Sequence, residues 1–278
     1  MLSDILVCLE GSASGLRAAE LAIEVGRDLA ANLVGLAIVD EPDIRAWELT
    51  GIGGASYKRQ RDDALLGEAQ ALAQERLDAF AARCWAAGVR MRALELRGRP
   101  AKTILEEIQR HDLTLLGRDA NFRFETEDED KKTRDTILRH AGKPLIVVPD
   151  DPLPAGTAVL VAYDGSTAAR RALIRFAGSG LARGRQVHVA AVDDDGATAW
   201  ATATRGVELL GELGIAASVH NLVPPGSVAE AILERREKLD AGLMVLGAYT
   251  RSRFARMLWG SVTEEIVDKT VVPLFLHY

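Results

Sequence analysis

One sequence pattern occurs twice in this chain, and the repeat restricts its fold more than any other feature. Residues 5–12 (ILVCLEGS) align with residues 159–166 (VLVAYDGS), and in both copies an apolar run leads to an acid and then Gly-Ser. A second apolar run that ends in an acid follows in each copy, at 34–40 and 187–193. Continuous apolar runs that enter turns are typical of buried strands. The 278 residues are therefore predicted to form two copies of one unit.

The rest of each copy completes an alternation of strands and helices. Residues 98–112 align with 226–240 as a helix, and the apolar runs that follow end at Gly117 and Gly247. A last apolar run, preceded by proline, closes each copy. Segments with helical spacing lie between the apolar runs, so the sequence predicts an α/β fold. Each copy is expected to be a doubly wound, Rossmann-like sheet of five parallel strands with right-handed crossovers.

The boundary between the two units is predicted near residue 153. Residues 150–156 (DDPLPAG) hold two acids, two prolines and a glycine, which suit a linker and neither a helix nor a strand. The predicted domains are residues 1–152 and 153–278. The apolar run at 271–276 would be an aggregation hazard as an open edge, so we expect it to pair with the other half or with another chain.

Composition and charge exclude several classes of protein. The chain is 48% hydrophobic and 27% charged, as in ordinary globular proteins, and has no apolar run long enough to span a membrane. Its net charge is −6 with basic residues spread among acids, which disfavours nucleic acid binding. Cys8 and Cys84 have neither metal nor disulfide spacing. With no export signal at the start, a cytoplasmic location is expected.

The turns after strands one, two and four of the second half are expected to hold the candidate site. In open parallel sheets, ligands bind outside the carboxyl ends of strands where the winding direction reverses. Gly260 would let a ligand approach the backbone, and the hydroxyls beside it lie at a helix start, which favours an anion such as phosphate. The candidate binding residues are Asp164, Gly165, Val192, Gly247, Thr250, Arg251, Gly260, Ser261, Val262 and Thr263.

Several of these residues also have a purely structural interpretation. Gly247 and Gly260 could only end a strand and permit a tight turn. Asp164 could only cap the following helix. The arginines at 251, 253 and 256 could form a solvated basic face or contact a partner. The sequence leaves these alternatives open.

The spacing of this segment resembles the signature of the universal stress protein family. That signature is Gly, two residues, Gly, nine residues, then Gly followed by Ser or Thr. Here Gly247, Thr250 and Gly260-Ser261 keep the spacing, with Thr250 in place of the second glycine. The resemblance covers nearly the whole chain and implies a tandem-domain member with an adenine nucleotide α-hydrolase-like fold. It further implies ATP, with or without Mg²⁺, whose phosphates contact the signature and whose adenosine contacts Asp164 and Val192.

The first half departs from this pattern. Its Gly117 is not followed by a Gly-Ser step, and Glu10 stands in place of the strand-one Asp. At about 8 Å, each nearby carboxylate would repel a phosphate charge by roughly 0.5 to 1 kcal/mol. We therefore predict no cofactor in the first half. The acids beside the expected phosphate position are Glu125, Glu127, Asp128, Glu129 and Asp130.

The resemblance implies a regulatory or stress-protective protein rather than a fast enzyme. No P-loop or metal motif occurs in the sequence, so slow ATP hydrolysis is the most that is expected. The alternative is a stress scaffold that acts with a protein partner and binds no nucleotide. The resemblance also implies an intramolecular pseudo-dimer and leaves a further homodimer open. Residues 42–61 are predicted to be a mobile surface loop.

Overall fold

The computed structural model describes most of the chain. The described residues are 2–46, 54–120, 122, 130–224, 226–248 and 259–277, with only the backbone described at 130–132 and 259–261.

Strands and helices alternate along these residues, as the sequence predicts. The strands are β1 (Asp4–Cys8), β2 (Asn32–Val39), β3 (Met91–Arg97), β4 (Leu113–Gly117), β5 (Leu145–Val148), β6 (Ala158–Ala162), β7 (Val187–Val192), β8 (Ala217–Leu222), β9 (Ala241–Gly247) and β10 (Leu274–His277). The helices are α1 (Ala13–Leu29), α2 (Glu41–Ile44), α3 (Gly54–Ala86), α4 (Pro100–Ile108), α5 (Asp130–His140), α6 (Thr167–Ser179), α7 (Gly196–Glu212), α8 (Val228–Lys238) and α9 (Trp259–Lys269).

The strands form one continuous sheet made of two equivalent units. Its order is β3-β2-β1-β4-β5-β10-β9-β6-β7-β8, so each half repeats the same arrangement of five parallel strands. The units join where β5 and β10 pair antiparallel, with Ile146 opposite Phe275. The predicted α/β class is confirmed, and the last strand is paired with the other half, as expected from its apolar sequence.

Helices cover both faces of the sheet and enclose a separate core on each. On one face, α1, α3, α6 and α7 contribute buried side chains such as Ala22, Phe80 and Phe176. On the other, α4, α5, α8 and α9 contribute side chains such as Ile104 and Ile266. The strands are apolar on both sides because both sides are covered, as in doubly wound sheets.

Polar and aromatic contacts join the two halves beside the β5–β10 pair. The Phe176 and Phe275 rings pack edge to face with centroids 6.0 Å apart. Arg134 Nη1 donates to Asp268 Oδ1 at 2.9 Å, and Arg118 Nη1 donates to the Thr270 carbonyl at 2.9 Å. The halves therefore pack as a pseudo-dimer within one chain. The boundary at 152/153 remains a prediction, and residues 149–157 there contain neither helix nor strand.

The predicted mobile loop at 42–61 is wrong for the part that the structure describes. Residues 42–44 belong to α2, and residues 54–61 form the first turns of α3. Helix α3 is rich in alanine, leucine, arginine and glutamine, which favour helix over loop. Tyr57 lies on its surface with 73% exposure, and Trp47 lies outside the described residues. Among the described helices, including the 33-residue α3, we find none that could cross a membrane.

Candidate functional site

A pocket of about 380 Å³ lies at the carboxyl ends of β6 and β7. This volume is within the range of small-molecule sites, roughly 300 to 1,000 Å³. The position matches the crevice where doubly wound sheets bind ligands, beside the strands at which the winding direction reverses. The pocket is lined by Ala162, Tyr163, Asp164, Ala190, Val192, Asp193, Asp194, Thr202, Pro224, Gly226, Val228, Ile232 and Val262.

Asp164 is brought to the pocket by the turn between β6 and α6. Gly165 has φ +75°, a conformation that L side chains rarely adopt, so the sharp turn needs glycine. Ser166 caps α6 by accepting from the Ala169 N–H at 3.1 Å. Asp164 Oδ1 accepts from the Ser166 N–H at 2.9 Å, and Oδ2 has no hydrogen-bond partner among the described residues. The helix cap is therefore Ser166, and one carboxylate oxygen of Asp164 has no partner among the described residues.

The walls of the pocket are mainly apolar. Val192 ends β7, Ala162 and Ala190 give the floor little bulk, and Ile232 of α8 and Val262 of α9 close the sides. Small residues on the sheet leave room for a flat group, and the branched side chains provide apolar contacts. This part of the pocket suits an aromatic ring such as a nucleobase.

The charged residues of the described lining are all acidic. They are Asp164, Asp193 and Asp194, and no Lys or Arg is among the lining residues that the structure describes. Asp193 Oδ1 accepts from the Asp195 N–H at 2.9 Å. Like charges repel in a partly enclosed site, so a phosphate is disfavoured here. The chamber therefore suits the neutral part of a ligand.

Helix α7 approaches closely enough to form one wall of the pocket. A Cβ built on Gly206 would lie 2.9 Å from Val189 and 3.0 Å from the Tyr163 ring, so only glycine fits at this contact. Burial raises the pKa of Tyr163 above its ordinary value of 10. One turn earlier on α7, Thr202 reaches the pocket.

The predicted site residues are distributed unevenly around this pocket. Asp164, Val192 and Val262 line it, and Gly165 lies in the adjoining turn. Gly260 and Ser261 lie in the first turn of α9, as expected, with only their backbone described. Thr263 is fully buried, and its Oγ1 has no hydrogen-bond partner among the described residues. Thr250 and Arg251 lie outside the described residues.

Gly247 has a structural role at the end of β9. A Cβ built there would approach Ala169 N closer than 3.0 Å, a separation that real Cβ atoms essentially never show. Gly117 has the same relation to Gly15 N at the end of β4 in the first half. Gly247 therefore lets α6 pack on the end of β9, as Gly117 lets α1 pack on the end of β4, and these contacts need no ligand.

The equivalent turn of the first half arranges its carboxylate differently. Glu10 is only 3% exposed, and both of its oxygens are used within the turn. Oε2 accepts from the Ser12 N–H at 2.8 Å, and Oε1 accepts from Ser12 Oγ at 2.6 Å. Burial raises the pKa of Glu10, against the Ser12 hydrogen bonds and the charge of Arg76, which lower it. The Glu10 carboxylate is thus satisfied without a ligand.

The pocket extends beyond the turns after strands one, two and four that the sequence indicated. Pro224, Gly226 and Val228 follow β8, the third strand of the second half. The run Pro-Pro-Gly-Ser at 224–227 was a usable turn signal. Thr202 had no such signal, because its place depends on how α7 packs.

Comparisons with known proteins agree on one family. Residues 157–276 match the universal stress protein family. A curated universal stress protein of Synechocystis sp. is 32% identical over 140 residues, which are 50% of this chain and 48% of that protein. The chain thus spans about half the length of this relative.

Solved structures share the fold over nearly the whole chain. A universal stress protein from Archaeoglobus fulgidus DSM 4304 is similar over 99% of this chain and 95% of its own, with 20% identity and a TM-score of 0.69. A chain from Pseudomonas aeruginosa UCBPP-PA14 is similar over 99% and 93%, with 18% identity and a TM-score of 0.56. The second half thus matches the universal stress protein family in sequence, and the solved structures show that the whole chain shares their fold.

Proposed function

We propose that the second half binds ATP or a related nucleotide, and that binding regulates a stress-protective role of the chain. The observation that carries the proposal is the pocket at the ends of β6 and β7, which joins an apolar chamber to a carboxylate with an oxygen free of partners among the described residues. A base can occupy the apolar part, and Asp164 can accept from a ribose hydroxyl or a base amine.

The charges of the pocket suggest the orientation of the nucleotide. The three acids of the lining favour the neutral nucleoside there, so the phosphates would extend toward the start of α9. A helix N-terminus offers free N–H groups and a favourable dipole to an anion. The sequence between β9 and α9 also contains Arg251, Arg253 and Arg256. The proposed nucleotide therefore spans from β7 to the first turn of α9.

The proposed role is binding rather than rapid turnover. Among the described residues, no three or more His, Cys, Asp or Glu side chains group as a metal site. Any Mg²⁺ would accordingly be held mainly by the phosphates, as this ion commonly is. Nucleotide occupancy would then change the shape of the second half or its choice of a protein partner.

Calorimetric titration of the purified chain with ATP tests the proposal. A site filled at 100 times its dissociation constant should add about 2.7 kcal/mol to the free energy of unfolding. Thr202→Phe places a large ring at the pocket wall and should weaken binding by at least about tenfold, or about 1.4 kcal/mol. Ala201→Phe, at an exposed neighbouring position of α7, is the matched control and should bind normally.

Two results would refute the proposal. One is the absence of both binding heat and thermal stabilisation at millimolar ATP, which would favour a scaffold that binds no nucleotide. The other is equal affinity of ATP for Thr202→Phe and Ala201→Phe, which would place binding elsewhere on the chain.

A further inference from the structure

The turns after β1 and β6 are equivalent, and this equivalence identifies a pair of matching helix positions. A Cβ built on Gly117 would lie under 3.0 Å from Gly15 N, and one built on Gly247 would lie under 3.0 Å from Ala169 N. Gly15 of α1 thus corresponds to Ala169 of α6. Both residues donate their N–H to the capping serine, at 3.0 and 3.1 Å.

In the first half, the carboxylate fills the space that a side chain at position 15 would take. Glu10 Oε1 lies closer than 3.0 Å to the place where a Cβ of Gly15 would be. An alanine at this position would require the Glu10 carboxylate to move. The missing side chain of Gly15 is therefore what lets Glu10 turn inward beneath α1.

In the second half, a methyl group occupies the corresponding space. Ala169 is 5% exposed and belongs to the core on that face of the sheet. Asp164 is also one methylene shorter than Glu10. Its carboxylate keeps the hydrogen bond to the capping serine N–H, and the residue lines the pocket instead of filling the space under the helix.

We propose that Ala169 is a positioning residue for the nucleotide site, because its methyl group holds the carboxylate at position 164 in the pocket. Gly15 has the opposite effect, since it allows the strand-one carboxylate of the first half to be buried. The effect of Ala169 on nucleotide binding rests on the proposed function, whereas the geometry of the two turns does not depend on a ligand.

The helix itself gives no reason for a glycine at position 15. Gly15 lies in the first turn of α1 and is not among the residues of positive φ, so alanine would be favoured by roughly 0.5 to 1 kcal/mol in a helix. Gly67 of α3 and Gly211 of α7 show the contrast, because a Cβ added there would meet nothing within 4 Å. The atoms that a Cβ on Gly15 would meet belong to Glu10. Gly15 and Glu10 can therefore be tested as a pair.

The second-half test compares Asp164→Glu alone with Asp164→Glu combined with Ala169→Gly. With Ala169 present, the longer carboxylate cannot enter the space under α6 and should stay in the pocket. In the double variant it can turn inward, so the affinity for ATP should be at least about tenfold lower than in Asp164→Glu alone. Equal affinities in the two variants would overturn the proposal.

A second readout keeps this test separate from the proposed function. If the unchanged chain does not bind ATP, the proposed function fails, but the position of the carboxylate can still be measured. The pKa of the residue-164 carboxyl, followed by NMR of ¹³C-labelled glutamate, should be higher in the double variant than in Asp164→Glu alone. Equal pKa values would overturn the positioning role of Ala169.

The first-half test uses folding stability and needs no ligand. Gly15→Ala should lower the melting temperature, because its methyl group meets the Glu10 carboxylate. Adding Glu10→Asp should restore most of the loss, since the shorter side chain leaves the space to alanine. Gly67→Ala is the control and should not lower the melting temperature. The same loss from Gly15→Ala with and without Glu10→Asp would overturn the proposal.

Discussion

The two halves have the same turn after their first strand, but the carboxylate of this turn is placed differently in each half. Gly11 and Gly165 both have positive φ, and Ser12 and Ser166 both cap the following helix. The halves differ by one methylene in the acid and by one methyl group on the helix. In the first half both carboxylate oxygens are bonded inside the turn, whereas in the second half the acid lines a pocket. Small differences at these positions therefore accompany a different placement of the carboxylate.

The turn after the fourth strand of the first half is also fixed by protein groups. Ser14 Oγ accepts from the Asp119 N–H at 3.0 Å and lies 2.9 Å from Ser12 Oγ. The equivalent of Ser14 in the second half is Ala168, which has no hydroxyl for this bond. These hydrogen bonds join the turn after β4 to the start of α1.

The largest effect is expected from alanine at the glycines that end β4 and β9. Gly247→Ala and Gly117→Ala should each reduce the free energy of unfolding by about 1 to 3 kcal/mol or more, because the new methyl group meets helix backbone. Urea denaturation would measure both losses. A Gly247→Ala protein of normal stability that only loses nucleotide affinity would show that this glycine serves the ligand and not the packing of α6.

A smaller effect is expected from removing the strand-one acids in turn. Asp164→Ala should weaken ATP binding by about 1.5 to 3 kcal/mol, the usual range for a hydrogen bond to a charged group. Glu10→Ala should leave the affinity unchanged, because that carboxylate is buried within its own turn. Calorimetry on both variants checks the difference. Equal weakening by the two substitutions would contradict the assignment of binding to one half.

The smallest effect is a pH dependence that comes from Glu10. Burial raises the pKa of Glu10 in the folded chain above its ordinary value of 4.5, so between these two values the folded state binds more protons. Stability from this group is present below pH 4.5 and is lost as the pH rises through the folded pKa. Glu10→Gln should remove this loss, as urea denaturation from pH 4 to 8 would reveal. Glu212→Gln, on the exposed face of α7, is the control and should keep the loss.

Most of the architecture follows from the sequence because the repeat fixes the element order of both halves together. The strand ends at Gly117 and Gly247 were predicted to the residue. The prediction of a mobile loop was wrong around Tyr57, since these residues belong to the 33-residue helix α3. Local composition could not separate a long exposed helix from a loop there.

The site was predictable only where its residues follow directly from a strand end. Asp164 lies just after β6, and Val192 is the last residue of β7. Their positions could therefore be inferred from the strand pattern. Thr202 depends on the approach of α7 across Gly206, and the burial of Glu10 depends on its contact with Gly15. Such contacts appear only once the helices are packed on the sheet.

The central claim is that one nucleotide site exists per chain and that it lies in the second half. Equilibrium dialysis of the purified chain against radiolabelled ATP measures the number of sites directly. The account predicts one equivalent of bound ATP per chain. Two equivalents would mean that the buried Glu10 does not prevent ATP binding in the first half. No bound ATP at millimolar concentration would mean that the second-half pocket is not a nucleotide site.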